Sequence, residues 1–251
     1  MSLRLGETKI KGVNLPSYDF IKAFFDAGGK CGYSGATSFD GIITFTATSD
    51  VTNMEYMFYN CSSLTSVPLL DTSKVTTMYS MFSYCSKLTS VPLLDTSNVT
   101  SMYNMFSYCS KLTSVPLLDT SKVTIMDTMF SYCSQLTSVP LFDTSNVTSM
   151  HEMFSQCKRL TSVPSFDTSN VEDMGYMFDG CSNLETIHMI NIGVSLDIHS
   201  STKFTREALL EIIGNLKTVT TTKRLTMGAT NLAKLTEEDK AIATNKGWTL
   251  A

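Results

Sequence analysis

Asp71–Leu94 reads DTSKVTTMYSMFSYCSKLTSVPLL, and the chain writes nearly the same 24 letters again from Asp95, Asp119, Asp143 and Asp167. A diverged first copy runs from Ala47 to Leu70. Cys61, Cys85, Cys109, Cys133, Cys157 and Cys181 fall at this interval, as do Pro68, Pro92, Pro116, Pro140 and Pro164. Twelve of the 15 methionines also obey it, so the repeat, not chance, sets the composition. A fixed period of this length is the mark of a stacked-repeat architecture, and it outranks any reading of isolated segments.

Within the unit the apolar residues are Val75, Met78, Met81, Phe82, Cys85, Leu88, Val91, Leu93 and Leu94. From Val75 to Cys85 their spacing keeps them on one face of a short helix. Asp-Thr-Ser before it supplies the short oxygens that cap a helix start. Val91 and Leu93 are two apart, which predicts a strand. One unit cannot bury its apolar face alone, so neighbours must stack. The predicted fold is an α/β repeat solenoid, right-handed and leucine-rich-repeat-like. It has short parallel strands and short helices, a 24-residue period and a cap at each end. The core columns are Met78, Met81, Phe82, Cys85, Leu88 and Val91, continued by Met102, Met105, Phe106, Cys109, Leu112 and Val115, with Cys133, Cys157 and Cys181 further along.

Met-Phe-x-x-Cys-x-x-Leu-x-x-Val-x-Leu, led by Asp-Thr-Ser-Asn-Val-Thr, resembles the BspA-type bacterial surface leucine-rich repeat over Ala47–Ile190. Relatives by this resemblance are bacterial surface adhesins and virion-associated proteins. The tail KLTEEDKAIATNKGWTL resembles the closing segment of BspA-type proteins from gut bacteria and their phages. The opening Leu3–Ile10 resembles, loosely, the start of phage tail-fibre proteins. The chain departs from the family in its proline column, where many relatives have a polar residue. Proline has no N–H to give a ladder, so strands of two or three residues, ended near that column, are expected.

The ends differ from the middle. In residues 1–46, Ser17 is placed to cap a helix over Tyr18–Ala27, and GIITFTAT reads as a strand leading into the stack. Residues 47–190 are the six repeats. Residues 191–251 form an α/β closing cap: SLDIH as a last strand, a helix capped by Thr205, RLTMG as a strand, and a second helix capped by Thr236. The repeats hold 6 basic and 13 acidic side chains and the ends 13 and 10, giving −7 and +3.

At 251 residues, 43% hydrophobic and 17% charged, the chain has enough apolar surface to exclude wholesale disorder. Net charge −4 and pI near 5.4 argue against a nucleic-acid partner, which requires a basic face. No run of eighteen apolar residues is present, so no helical membrane insertion is expected. The first residues lack the apolar segment of a signal peptide. That fits a virion protein better than a conventionally exported adhesin.

Chemistry is sparse. Stacked cysteines point along one vector and are expected as free buried thiols, with no metal and no cofactor. Cys31 is the one thiol outside the column. The histidines are His151, His188 and His199, and no nucleophile elbow, HExxH or phosphate loop accompanies them. Asp197 and His199 share one face of a strand, where they read as solvated polar side chains on the last turn in preference to a catalytic pair. The column Asp71, Asp95, Asp119, Asp143 and Asp167 is read as Asx turns in preference to a calcium ladder, since the ligand count is low.

Two variable columns are candidates for recognition. One holds Tyr84, Tyr108 and Tyr132; the other is a pair of adjacent positions, with Tyr79, Tyr103 and His151 at the first and Tyr176 at the second. Tyrosine gives amphipathic contact area at low entropic cost, although stacked rings could equally serve only to shield the layer beneath. Thr89, Ser90, Thr113, Ser114 and their successors make a hydroxyl-rich face that could bind sugar or ice, or merely be solvated. The expected function is non-catalytic recognition or adhesion toward a protein or glycan, outside the cell on a bacterial surface or virion. The alternative is a structural spacer or decoration protein that docks, or forms a homo-oligomer, through its end caps. An enzyme ranks third.

Overall fold

The computed structural model describes residues 51–67 and 70–251. The helix and strand expected in residues 1–46, Cys31, and Pro68 lie outside the described residues.

The repeats form a solenoid in which each turn is bonded in parallel to the next. Single-residue parallel bridges run Asn53↔Thr77↔Ser101↔Ile125↔Ser149↔Asp173, one step of the chain per repeat. The inward columns are buried throughout. Met78, Met81, Phe82, Cys85 and Leu88 are fully buried, as are Met102, Met105, Phe106, Cys109 and Leu112. Val91 and Val115 are buried a little less deeply, and Cys133, Cys157 and Cys181 are sealed. Phe58, Phe82, Phe106, Phe130, Phe154 and Phe178 stack face to face along the axis with centroids 5.4–6.0 Å apart.

The segment expected to be helical is instead a stack of turns. Tyr84 N–H donates to the Ser107 carbonyl of the next repeat at 2.8 Å, Phe82 N–H to Met105 and Ser80 N–H to Tyr103. The intervening Met81, Ser83 and Cys85 N–H groups turn back to the carbonyl three residues earlier. An α-helix sends every N–H four residues back along its own strand. Here alternate N–H groups leave for the neighbour, so a continuous helix cannot form. The alternation is achieved by left-handed backbone at two places per repeat: Ser80 (φ 51°) and Tyr84 (φ 63°), Asn104 (55°) and Tyr108 (60°), Thr128 (54°) and Tyr132 (61°).

The strand reading also changes in detail. In the proline-bearing copies Val91 and Leu94 are buried while Leu93 is exposed, a spacing of three where a strand would give two. The last copy tests the cause, because His188 stands where the others have proline. His188 N–H donates to the Val163 carbonyl at 3.0 Å, and the two-residue period returns with Ile187 and Met189 both buried. The two-residue strands β1 (Ser162–Val163) and β2 (Thr186–Ile187) pair in parallel there. Proline's missing donor therefore decides which leucine faces water.

The cysteines stack without pairing from Cys85 to Cys181. Each Sγ instead donates to a phenylalanine carbonyl one repeat back: Cys109 to Phe82 and Cys133 to Phe106, both at 3.1 Å. Burial pushes the Cys85 and Cys181 thiols up to about 12. Cys61 corrects the expectation of six free thiols, since it is disulfide-bonded.

Beyond the repeats, β3 (Leu196–Asp197), β4 (Lys223–Thr226) and β5 (Trp248–Leu250) form a parallel sheet in that order. The cap's helices are α1 (Arg206–Gly214), α2 (Gly228–Leu232) and α3 (Glu237–Thr244). Thr205 Oγ1 caps α1 by accepting Ala208 N–H, and Thr236 with Asp239 closes a capping box on α3. Arg206 grips the Asp239 carboxylate with two bonds of 2.7 and 2.8 Å, joining the two helices. Ser201 Oγ donates to the Cys181 carbonyl at 2.7 Å, tying the cap to the end of the cysteine column.

Candidate functional site

Tyr84, Tyr108 and Tyr132 stack in a row, with centroids 4.5 and 4.4 Å apart and planes within 7°. They are 40, 37 and 42% exposed. Left-handed backbone costs a non-glycine residue roughly 1–2 kcal/mol. A stacked aromatic pair returns about 0.5–1.5 kcal/mol, enough to offset much of that cost. Tyr79 and Tyr103 form a second stack at 4.7 Å.

The two rows meet. Tyr59 lies edge-on to Tyr84 at 5.6 Å and to Tyr56 at 5.5 Å, and Tyr56 leans on Tyr79 at 5.2 Å. Seven of the chain's ten tyrosines thus form one continuous two-armed array. Tyr56 and Tyr59 are absent from the sequence-derived site. Tyr56 shares its column with Ser80, Asn104, Thr128, Glu152 and Tyr176, and Tyr59 shares its column with Ser83, Ser107, Ser131, Ser155 and Asp179; only the packing of the first two turns shows that they close the array. The stacked faces are occupied by neighbouring rings, so the array presents ring edges and hydroxyls. Desolvation raises Tyr79, Tyr103 and Tyr108 above the usual tyrosine value, which keeps them neutral donors at ordinary pH.

His151 and Tyr176 stand apart from this array. His151 Nδ1 lies 3.1 Å from Asp173 Oδ2, and its ring meets Tyr176 edge-on at 5.9 Å. A Cβ on Gly175 would come within 2.9 Å of that imidazole, so the glycine makes room for it. Asp127, from the same column, accepts from Ser149 Oγ and His151 N–H.

The aspartate column forms Asx turns. Asp95 Oδ1 accepts Ser97 N–H at 3.0 Å and Ser97 Oγ–H at 2.7 Å, and Asp71, Asp119 and Asp143 repeat this with their own serines. The serine hydroxyl, then its N–H, holds each of these four carboxyls below the usual aspartate range. Asn191 leads the same effect at Asp167. Among the described residues no group of three or more His, Cys, Asp or Glu is arranged to hold a metal.

Asp197 and His199 are brought together with Ser200. His199 Nδ1 is 2.6 Å from Asp197 Oδ1, and its Nε2 is 3.4 Å from Ser200 Oγ. His199 is exposed, and Asp197 and Ser200 are half-buried at the end of β3, where such a relay lacks the water-excluded surroundings that give it electrostatic power. Thr113 and Thr137 are exposed, their hydroxyls pointing to the carbonyl one repeat back.

Stacked parallel turns, sealed columns and open edges define a leucine-rich-repeat solenoid of the BspA type. The family model described as "Mycoplasma protein of unknown function, DUF285" matches residues 30–137 and 113–207, and the chain belongs to that family. Among solved structures, a leucine-rich repeat protein from T. pallidum is similar at 21% identity and TM-score 0.50, covering 85% of this chain and 84% of that one. A leucine-rich repeat protein from Bacteroides ovatus aligns at 19% identity and TM-score 0.36, over 76% of this chain and 57% of that one. No curated protein matches the chain. Among the described residues no helix is long and apolar enough to cross a membrane.

Proposed function

We propose that the chain is a non-catalytic recognition protein that presents its solenoid surface to a protein or glycan, on a bacterial surface or as a receptor-binding part of a virion. The observation that carries this reading is the array running from Tyr132 through Tyr59 and Tyr56 to Tyr103. Exposed aromatic clusters of this extent mark interaction surfaces. With ring faces already stacked, a ligand meets edges and hydroxyls, which suits the polar groups of a sugar or a peptide backbone. His151 and Tyr176 extend the same side toward the later repeats.

The test is binding of the intact protein to a glycan and cell-surface array, beside a Tyr84→Ala/Tyr108→Ala/Tyr132→Ala variant. Specific binding that disappears in a folded variant is expected. Binding retained by the variant would remove the tyrosines from the site. A second reading, a structural spacer or decoration docking through its ends, is favoured by the charge partition of −7 in the repeats and +3 in the ends. Absence of array binding together with self-assembly through the ends would replace the first reading by this one.

A further inference from the structure

The proline column turns Leu93, Leu117 and Leu141 outward, 64, 61 and 59% exposed, one in each successive repeat. Beside them runs the row of aspartates. A depression of about 610 Å³ gathers Leu93 and Leu117 with Asp71, Asp95 and Asp119. Large aliphatic side chains held in water at regular intervals mark a surface awaiting a partner. The charge beside them narrows the choice.

Lys74 and Lys122 act on Asp71 and Asp119. Asp95 and Asp143 have Asn98 and Asn146 in the corresponding place, and each feels the repulsion of the aspartates above and below. Asn98 Nδ2 and Asn146 Nδ2 are spent on the Ser73 and Ser121 carbonyls. Uncompensated negative charge therefore recurs at alternate repeats along the leucine stripe. An anionic lipid surface, or the same stripe of a second copy, would bring like charges together at a cost.

We propose that this stripe binds an extended segment of a partner polypeptide in which aliphatic side chains are interspersed with lysine or arginine. The aliphatic groups cover Leu93, Leu117 and Leu141, and the cations lie against Asp95 and Asp143. The proposal shares with the preceding section only the premise that the solenoid is a binding protein; the tyrosine array can fail as a site without touching it.

The experiment is fluorescence anisotropy of a labelled alternating leucine–lysine peptide against the intact protein at low and high salt, with an alternating leucine–glutamate peptide as control. Two variants accompany it. Leu93→Ser/Leu117→Ser/Leu141→Ser removes the stripe. Asp95→Asn/Asp143→Asn deletes charge while the amide oxygen still accepts the serine bonds of the Asx turn. The lysine peptide is expected to bind and the glutamate peptide not. The serine variant should weaken binding by about tenfold or more. The asparagine variant should weaken it and flatten its salt dependence, both variants remaining folded at the assay temperature. No binding, equal binding of the two peptides, or indifference to either variant overturns the proposal. Concentration-dependent dimers abolished by the serine variant would assign the stripe to a second copy and overturn it as well. Array binding that survives such a failure leaves the recognition reading standing.

Discussion

The repeats and the closing cap solve the same backbone problem in opposite ways. In the cap's helices, N–H groups are satisfied close by in sequence: α1 and α3 bond along their own length, and threonines finish their first turns. In the repeats, Tyr84, Tyr108 and Tyr132 N–H groups reach carbonyls in the following turn, 23 residues on. The cap's helices hold their own backbone, whereas the left-handed turns of a repeat send alternate N–H groups to the next repeat. Left-handed residues are correspondingly routine in the repeats, while the positive-φ positions after Asn191 are all glycines, Gly228 and Gly247. A solenoid built this way carries a regular, rigid surface, which is what an array of stacked tyrosines or a stripe of leucines requires.

The largest expected effect is in the shared core. Phe106→Ala breaks the ring stack between Phe82 and Phe130 and should cost about 3–5 kcal/mol in chemical denaturation. Leu112→Ala should cost about 2–5 kcal/mol, whereas exposed Lys111→Ala should stay within about 0.5 kcal/mol. Equal effects at Leu112 and Lys111 would break the assignment of inward columns.

A cap-specific effect comes next. Buried Asn231 donates to the Ser201 and Met227 carbonyls and accepts from Lys234. Asn231→Ala strands those groups and should cost about 1–3 kcal/mol. In that variant hydrogen exchange should accelerate in the cap before it does in the central repeats.

Acid should act on the repeats through their aspartates. Their folded pKa values lie below the unfolded ones, so the stability they confer is full above the ordinary aspartate value near 4 and is lost as pH falls through the folded values. Denaturation midpoints should therefore fall below about pH 4, and Asp95→Asn should make that fall shallower. An unchanged slope would mean that the Asx bonds contribute nothing.

The sequence carries the period, the inward columns and the Asx turns openly, because each depends on side-chain type at a fixed spacing. Thr205 and Thr236 were legible for the same reason: a helix cap is a local signal. The turns around Ser80 and Tyr84 were not, since the spacing from Val75 to Cys85 places the same side chains inward in a helix or in a stack of turns. Only the destination of the N–H groups separates the two, and that is fixed by the next repeat. A hint existed: Asn60, Asn104 and Gly180 occupy those columns, and Asn and Gly are the residues that tolerate left-handed backbone. Leu93 was misplaced because the strand period was carried through Pro92, although proline's lack of a donor argued against it. At the candidate site, Tyr84, Tyr108 and Tyr132 could be named from their column, while Tyr56 and Tyr59 required the geometry of the first turns.

The claim that the repeats are neighbour-held turns is tested most directly at Glu152, half-exposed and left-handed at φ 52°. Thermal or chemical denaturation of Glu152→Gly and Glu152→Ala, measured side by side, should find the glycine variant more stable by about 1 kcal/mol, since glycine alone adopts that backbone without strain. Helical repeats would give the reverse order, alanine above glycine by about the same amount, and that result would contradict the account.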